Sequence, residues 1–505
     1  DDDGAFRVHF YNNTPSTYSA HLSCWIAQLG QHLNEPRYLA AASKHMDWVM
    51  SQFVPETGWF EGCGFDDTQH ADRTGYTHTI AYTIWGVLYC SEVLGRDDLF
   101  QAAKLASTGI ARRLELSSGL PGRLNWRWQK DGNFICLTGN AQMALIWMRL
   151  YEQTQDPWWL NPAFKAIDQI KAMQPMESAN PGIRGGIPGS FPIWGDYIFG
   201  GIPNWAAKFF IDALIGKNKI LSSIHGRERP AGDLPADLPN ALPVPAAGLP
   251  ETKPSIVVLT RPHSPRLEHF CRIWEDRGFA PLAVVYETIP EKPLKNRLCA
   301  VVKERGFTGL WRRFFGKTIP AAAKTAGRAS RAVPASEFSK EKGLRTISVG
   351  RLTSSDAQRQ IAELKPDLLI QAGVGILPRE LLDIPTLGTL NVHMSILPRY
   401  RGMSVAEWAA FNGHKNGCTV HLIDPGIDTG KILLIRKFSS DNCSSIHELR
   451  QMIDQGQREL LADVVEYVVK TGLLPPGRSQ LVEEGRQYFR MHPELASVLG
   501  REMAG

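Results

Sequence analysis

Ser255-Ile256-Val257-Val258-Leu259-Thr260 is an apolar, β-branched run with no alternation of polar residues. A strand of that composition is buried on both faces, the situation of a parallel sheet covered by helices. The period then changes. A helical stretch follows at about 264–278, and Leu282-Ala283-Val284-Val285-Tyr286 reads as the next strand. Further strands are expected near 345–349, 367–372, 388–393, 418–423 and 432–438, with helices near 354–364, 404–413 and 444–471. Short apolar strands alternating with helices predict an α/β, Rossmann-like parallel sheet covered on both faces.

Upstream, Pro230–Pro254 holds seven prolines in 25 residues. Proline lacks an amide donor and disrupts helices, so this stretch reads as an extended linker and a domain boundary. Eleven of the fourteen tryptophans precede residue 210, so the two halves also differ in composition. Before the linker, apolar residues recur at three- and four-residue spacing near 18–32, 38–53, 77–94, 97–114, 138–153, 158–173 and 203–215. That is the spacing of amphipathic helices. Asp97-Asp98 and Asp156-Pro157 are candidate helix starts. The expected organisation is a helical domain over 1–220, a linker over 221–254, an α/β domain over 255–475 and an extension over 476–505.

A chain of 505 residues exceeds one ordinary core, and its 43% hydrophobic and 21% charged residues describe a globular protein. No apolar run of membrane-spanning length is visible, nor a basic-then-apolar leader, and the expected compartment is the cytoplasm. The eight cysteines are scattered without metal-type spacing, which fits reduced, mostly buried thiols and no metal site. The net charge of +5 is uneven, with 14 Lys and Arg against 3 Asp and Glu between Lys292 and Arg345. Such a basic segment either attracts a polyanion or is a solvated loop.

Two stretches carry chemistry. One is Leu390-Asn391-Val392-His393-Met394-Ser395-Ile396-Leu397-Pro398-Arg399-Tyr400-Arg401-Gly402; the other is Gly417-Cys418-Thr419-Val420-His421-Leu422-Ile423-Asp424-Pro425-Gly426-Ile427-Asp428-Thr429-Gly430. On a strand, Asn391 and His393 point to the same side, and at the C-terminal end of a parallel strand that side meets the ligand crevice. Asp428 lies in a glycine-flanked loop from which a carboxylate can reach the histidine. An amide donor for an oxyanion, an imidazole to move a proton and a carboxylate to orient it are what acyl transfer to an amine requires. The plainer alternative is a structural Asn and His at a strand end beside a turn aspartate. His421 either lines the site or is a packed strand histidine.

These segments resemble the formyltetrahydrofolate-dependent formyltransferases, which include glycinamide ribonucleotide, methionyl-tRNA and sugar N-formyltransferases. The resemblance covers about 254–475. It implies Asn391, His393 and Asp428 as a catalytic trio, with N10-formyltetrahydrofolate as formyl donor. The folate would lie against Gly373, Val374, Gly375, Ile376 and Leu377 and against Asp424, Gly426 and Ile427. Ser395, Tyr400 and Arg401 become candidates for acceptor contacts. The Tyr400-Arg401-Gly402 segment and the short C-terminal remainder favour a nucleotide-linked amino sugar over a nucleic acid. A tRNA-directed enzyme and a catalytically silent glycan-binding protein are the alternatives.

The helical half resembles, at fold level, the α/α-toroid domains that handle polysaccharides or isoprenoids. Its aromatic loops beside charged residues suit a saccharide, either bound or processed. Candidate site residues there are Glu61, Asp67, His70, Arg73, His78 and Tyr197. Tryptophans packed in a core, with polar residues capping helices, would produce the same pattern.

Overall fold

The computed structural model describes residues 2–7, 13–117, 119–224, 234–244, 253–288, 333–440 and 443–505. The chain divides into two compact units, Asp1–Arg227 and Glu228–Gly505. Most of the basic segment, and much of the proline-rich linker, lie outside the described residues.

The first unit is helical. Its helices are α1 (Ala20–Leu33), α2 (Pro36–Ser51), α3 (Asp67–Ala71), α4 (Thr77–Leu94), α5 (Asp97–Glu115), α6 (Leu137–Thr154), α7 (Leu160–Met173) and α8 (Asn204–Ser223). α1 pairs with α2, α4 with α5 and α6 with α7, while α1, α4, α6 and α8 pack in succession side by side. The sequence explains which helices are central: α4 and α6 bury thirteen residues each, on all sides, whereas α2 buries four. Close approach needs missing side chains. A Cβ on Gly86 would lie 2.1 Å from the backbone of Ala20, so α1 and α4 touch through that glycine. Asp156 acts as the expected cap, accepting the Trp158 amide at 3.1 Å. Asp97 and Asp98 instead occupy the first turn of α5, where carboxylates suit the helix dipole. Three short ribbons close the loops: β1 (Phe53–Val54) with β2 (Trp59–Phe60), β3 (Thr74–Tyr76) with β4 (Arg123–Asn125), and β5 (Ile135–Cys136) with β6 (Ser190–Phe191).

The second unit is built on seven strands: β7 (Ile256–Thr260), β8 (Ala283–Glu287), β9 (Thr346–Val349), β10 (Leu368–Ala372), β11 (Gly388–His393), β13 (Asn416–Leu422) and β14 (Ile432–Phe438). Their order is β14-β13-β11-β10-β7-β8-β9. The five from β11 to β9 are parallel, and β13 alone is reversed, pairing antiparallel with β11 on one side and β14 on the other. The sheet is therefore mixed rather than wholly parallel: the short 423–431 loop turns β13 directly into β14, and the longer connection over 394–415, which includes a helix at Val405–Phe411, returns the chain antiparallel beside β11. β12 (Tyr400–Gly402) pairs separately with β15 (Arg486–Tyr488).

Around the sheet lie α9 (Arg266–Asp276), α10 (Ala335–Glu341), α11 (Ser355–Ala362), α12 (Arg379–Leu382), α13 (Val405–Phe411), α14 (Ile446–Thr471) and α15 (Pro493–Met503). The unalternating strand composition is now explained. Ile256 and Val258 of β7 enter a core with Phe270, Trp274, Leu461 and Val465 from α9 and α14. Val257 and Leu259 enter the opposite core with Ile361, Leu369 and Leu381. Each fully buried side chain of this size contributes about 1.5–3 kcal/mol, so both faces stabilise the sheet.

Candidate active site

β11 ends at His393, beside β10 on one side and β13 on the other, so the motif residues sit where the parallel strands finish. The pairing of β11 with β13 sets Asn391 opposite His421 and His393 opposite Thr419. The 424–430 loop then folds back: an added Cβ at Gly430 would come within 1.9 Å of the Leu422 carbonyl oxygen. That return carries Asp428 to both histidines.

Asp428 Oδ2 lies 3.5 Å from His393 Nδ1 and its Oδ1 3.6 Å from His421 Nε2. Oδ2 also accepts the Gly402 amide at 2.8 Å. The tautomers follow from the partners, since a carbonyl can only accept. His393 Nε2 faces the Tyr400 carbonyl at 2.7 Å and so carries a proton, leaving Nδ1 as the nitrogen that gains or loses one beside Asp428. His421 Nδ1 donates to the Leu422 carbonyl at 2.7 Å, so its Nε2 lone pair accepts from the Asn391 amide at 3.1 Å. One Asn391 N–H is thereby fixed and the other is left for a ligand.

Electrostatics agree with this division. Burial pushes His421 down to about 4 despite the neighbouring Asp428, keeping the ring neutral. Burial works to raise Asp428, but His393, His421, the Gly402 amide and Arg401 outweigh it, and the carboxyl stays below its ordinary range. The Asp428 carboxylate is thus held as an anion 3.5 Å from His393 Nδ1.

The expected folate loops are built from backbone. Gly373-Val374-Gly375-Ile376-Leu377 leaves the end of β10, the neighbour of β11. Gly373 has φ +93°, where side chains are disfavoured, and Gln371 Nε2 donates to the Val374 carbonyl at 3.0 Å. Val374 and Leu377 are buried anchors, whereas Ile376 is 79% exposed, an apolar side chain open to a ligand. In the other loop Asp424 Oδ1 accepts from Gly426 N at 3.1 Å and Thr429 Oγ1 at 2.6 Å. Two braced loops with small residues and an exposed isoleucine fit a flat heteroaromatic ring.

The candidate acceptor residues are placed differently. Ser395 is fully buried. The Tyr400 hydroxyl is held by His414 Nδ1 at 2.5 Å and Asn412 Nδ2 at 3.0 Å. Arg401 is 4% exposed and donates to Gln480 and to the carbonyls of Leu481 and Val482. Tyr400 and Arg401 are held against β15 and the C-terminal extension, whereas Ser395 lies against β13, its carbonyl accepting from Thr419 Oγ1 at 2.8 Å. Sequence reasoning also missed Gln480; its signal was slight, a lone amide in a polar extension. His421 was legible as a strand histidine, but its pairing with Asn391 required the register.

In the helical unit the six candidates separate into two groups. Glu61 accepts from Arg73 Nε at 2.7 Å, and the Arg73 guanidinium stacks 4.0 Å over Trp126. Asp67 Oδ1 accepts from Thr14 Oγ1 at 3.2 Å, and His70 Nε2 lies 3.0 Å from the Gly64 carbonyl. Beside them Asp66, Asp72, Arg123 and Asp131 line a cavity of about 590 Å³. His78 and Tyr197 lie together elsewhere, ring centroids 5.2 Å apart, with Tyr82 4.4 Å from His78. His78 Nδ1 bonds Gln142 Oε1 at 2.9 Å, and Tyr197 OH accepts from Trp205 Nε1 at 3.1 Å. Burial pushes His78 down to about 4, so it is a neutral imidazole. Among the described residues no group of three or more His, Cys, Asp or Glu could hold a metal ion.

With this geometry in place, comparison with known proteins places the unit. Residues 317–465 match the formyl transferase family. The C-terminal region carries a formyl transferase domain. That family takes N10-formyltetrahydrofolate as its formyl donor. A methionyl-tRNA formyltransferase from Ruminiclostridium cellulolyticum is 36% identical over 159 residues, 31% of this chain and 51% of that protein. One from Clostridium tetani is 30% identical over 184 residues, 36% of this chain and 59% of that protein. The chain thus spans about half the length of the curated relatives it matches. A sugar N-formyltransferase structure from a Shewanella species is 15% identical, covering 49% of this chain and 87% of that one, with a TM-score of 0.32. At that level the likeness says nothing about the acceptor.

Proposed function

We propose that the formyl transferase domain is active and moves a formyl group from N10-formyltetrahydrofolate to an amine. The observation that carries this is the convergence of Asn391, His393 and Asp428, with His421 holding the Asn391 amide. Asn391 has an N–H left to stabilise the oxyanion that forms when an amine adds to a formyl carbon, worth about 3–4 kcal/mol in comparable sites. His393 Nδ1 takes the proton released by the amine, and Asp428 stabilises the resulting imidazolium. The loops 373–377 and 424–427 would hold the folate; bound there, it supplies the formyl carbon and a nitrogen leaving group.

The acceptor in this reading is a nucleotide-linked amino sugar, and the setting is the cytoplasm; no helix among the described residues is long and apolar enough to cross a membrane. The helical unit is read as an arc of an α/α toroid that binds or processes a related saccharide. The succession of α1, α4, α6 and α8 with α2, α5 and α7 outside it supports the architecture. The half-exposed Trp205 beside Tyr197 and neutral His78 supports a sugar ligand.

A second reading, formylation of an aminoacyl-tRNA, is favoured by the similarity to methionyl-tRNA formyltransferases. Mass spectrometry of candidate acceptors separates the two. A gain of one formyl group on a nucleotide-linked amino sugar, with none on methionyl-tRNA, supports the sugar reading; the reverse pattern overturns it. Failure of mono- and disaccharides to alter tryptophan fluorescence would count against the helical site.

A further inference from the structure

Gln480 lies nine residues beyond the end of α14, in the extension to which no role was ascribed from sequence. Its Nε2 donates to two backbone carbonyls of the catalytic loop, Asp428 at 3.1 Å and Gly430 at 2.6 Å. Its Oε1 accepts from Arg401 Nε at 3.3 Å and Nη2 at 3.2 Å. Arg401 directly precedes Gly402, whose amide donates to Asp428 Oδ2 at 2.8 Å. The contacts form a closed circuit: the 401–402 strand grips the Asp428 carboxylate, Gln480 grips the Asp428 backbone, and Arg401 grips Gln480.

The circuit has something to hold. Asp428 has φ +53°, a left-handed conformation that side chains disfavour and that persists only when surroundings enforce it. Without that conformation the carboxylate would leave the side of His393 and His421. The extension is itself anchored where a clamp would need it. Arg478 and Ile432 exchange both backbone bonds at 2.8 Å, fixing the segment to the first residue of β14. Arg401 Nη2 donates to the Leu481 carbonyl at 2.8 Å, and Leu481 N donates to Glu484 Oε2 at 2.8 Å.

We propose that Gln480 is a positioning residue for formyl transfer, its carboxamide holding the 428–430 backbone so that the Asp428 carboxylate stays between His393 and His421. The extension beyond α14 is then part of the active site, acting through Asp428 without touching substrate. This rests on the assignment of Asp428 to the transfer machinery.

Gln480→Glu is the discriminating variant. It keeps the volume and the Arg401 contact and removes the donor to both carbonyls; Gln480→Met removes donor and acceptor together. Both are expected to lower kcat about 10–100-fold, the size of effect a roughly 1 Å misplacement produces, while affinity for 5-formyltetrahydrofolate changes less than threefold. In an Asp428→Ala background Gln480→Glu should cost less than a further twofold. The second readout is amide hydrogen exchange. Gly402 N–H should exchange at least tenfold faster in Gln480→Glu, with the amides of α14 unchanged. Wild-type kcat and Gly402 protection in both variants would overturn the proposal, as would a loss of protection throughout the unit. If the wild type transfers formyl to no amine, the functional reading fails, and the Gly402 exchange still decides the positioning claim.

Discussion

Replacing Asp428 by Asn removes a charge while keeping shape, and the structure says what that charge does. Its Oδ2 is 3.5 Å from His393 Nδ1, the nitrogen left free to take a proton. At an effective dielectric near 20, unit charges at that distance attract by about 4–5 kcal/mol. With the proton about half transferred in the transition state, roughly half of this is felt, about 2 kcal/mol, or about 30-fold in rate. The Asn side-chain oxygen can still accept the Gly402 amide, so the loop should keep its place. We therefore expect Asp428→Asn to lower kcat about 30-fold, within a range of 10–300, with folate affinity changed less than threefold. The assay is absorbance at the wavelength of tetrahydrofolate release, under saturating acceptor. A rate within threefold of wild type would refute the electrostatic role, and a collapse of folate affinity would assign Asp428 to binding instead.

Asn391→Asp deletes the remaining N–H donor and should lower kcat by about 10²–10³; the same assay decides, and a loss below fivefold would exclude an oxyanion role. His78 and His421 both sit near 4 against an ordinary value of about 6.5. Each therefore binds more protons when unfolded, so stability is full above pH 6.5 and falls between pH 6.5 and 4. Urea unfolding at pH 7.5 and 5.0 should show this loss, and His78→Asn should reduce it in the helical unit; an unchanged slope would contradict the burial reading. Gly86→Ala would place a methyl 2.1 Å from the Ala20 backbone and should destabilise the helical unit by about 1–3 kcal/mol or more. An unchanged Tm by calorimetry would show that α1 and α4 can separate without loss.

Much of the fold was legible because its signals are local. The unalternating run at 255–260 announced a strand buried on both faces, and β7 sends alternate residues into two cores. The helical spacing marked α4 and α6 closely, since their apolar residues repeat without interruption. Strand direction was not legible, because β13 and β14 have the same aliphatic composition whichever way they run; only the shortness of the 424–430 return hinted at antiparallel pairing. The site divided in the same way. Asn391 and His393 share a face by period alone, but the tautomer of His421 depends on a register opposite Asn391 and a bond to its own neighbour's carbonyl. Tyr400 and Arg401 look like exposed polar residues after a strand. They are buried because residues 480–488, far along the chain, cover them. No local pattern encodes that contact.

The most direct test of the account is the rate of tetrahydrofolate release from N10-formyltetrahydrofolate by the full chain, with nucleotide-linked amino sugars and methionyl-tRNA supplied in turn, beside His393→Ala. Release is expected to depend on one of these amines and to fall at least about 10²-fold in the variant. Release that is independent of amine, or equal in His393→Ala and wild type, would contradict it.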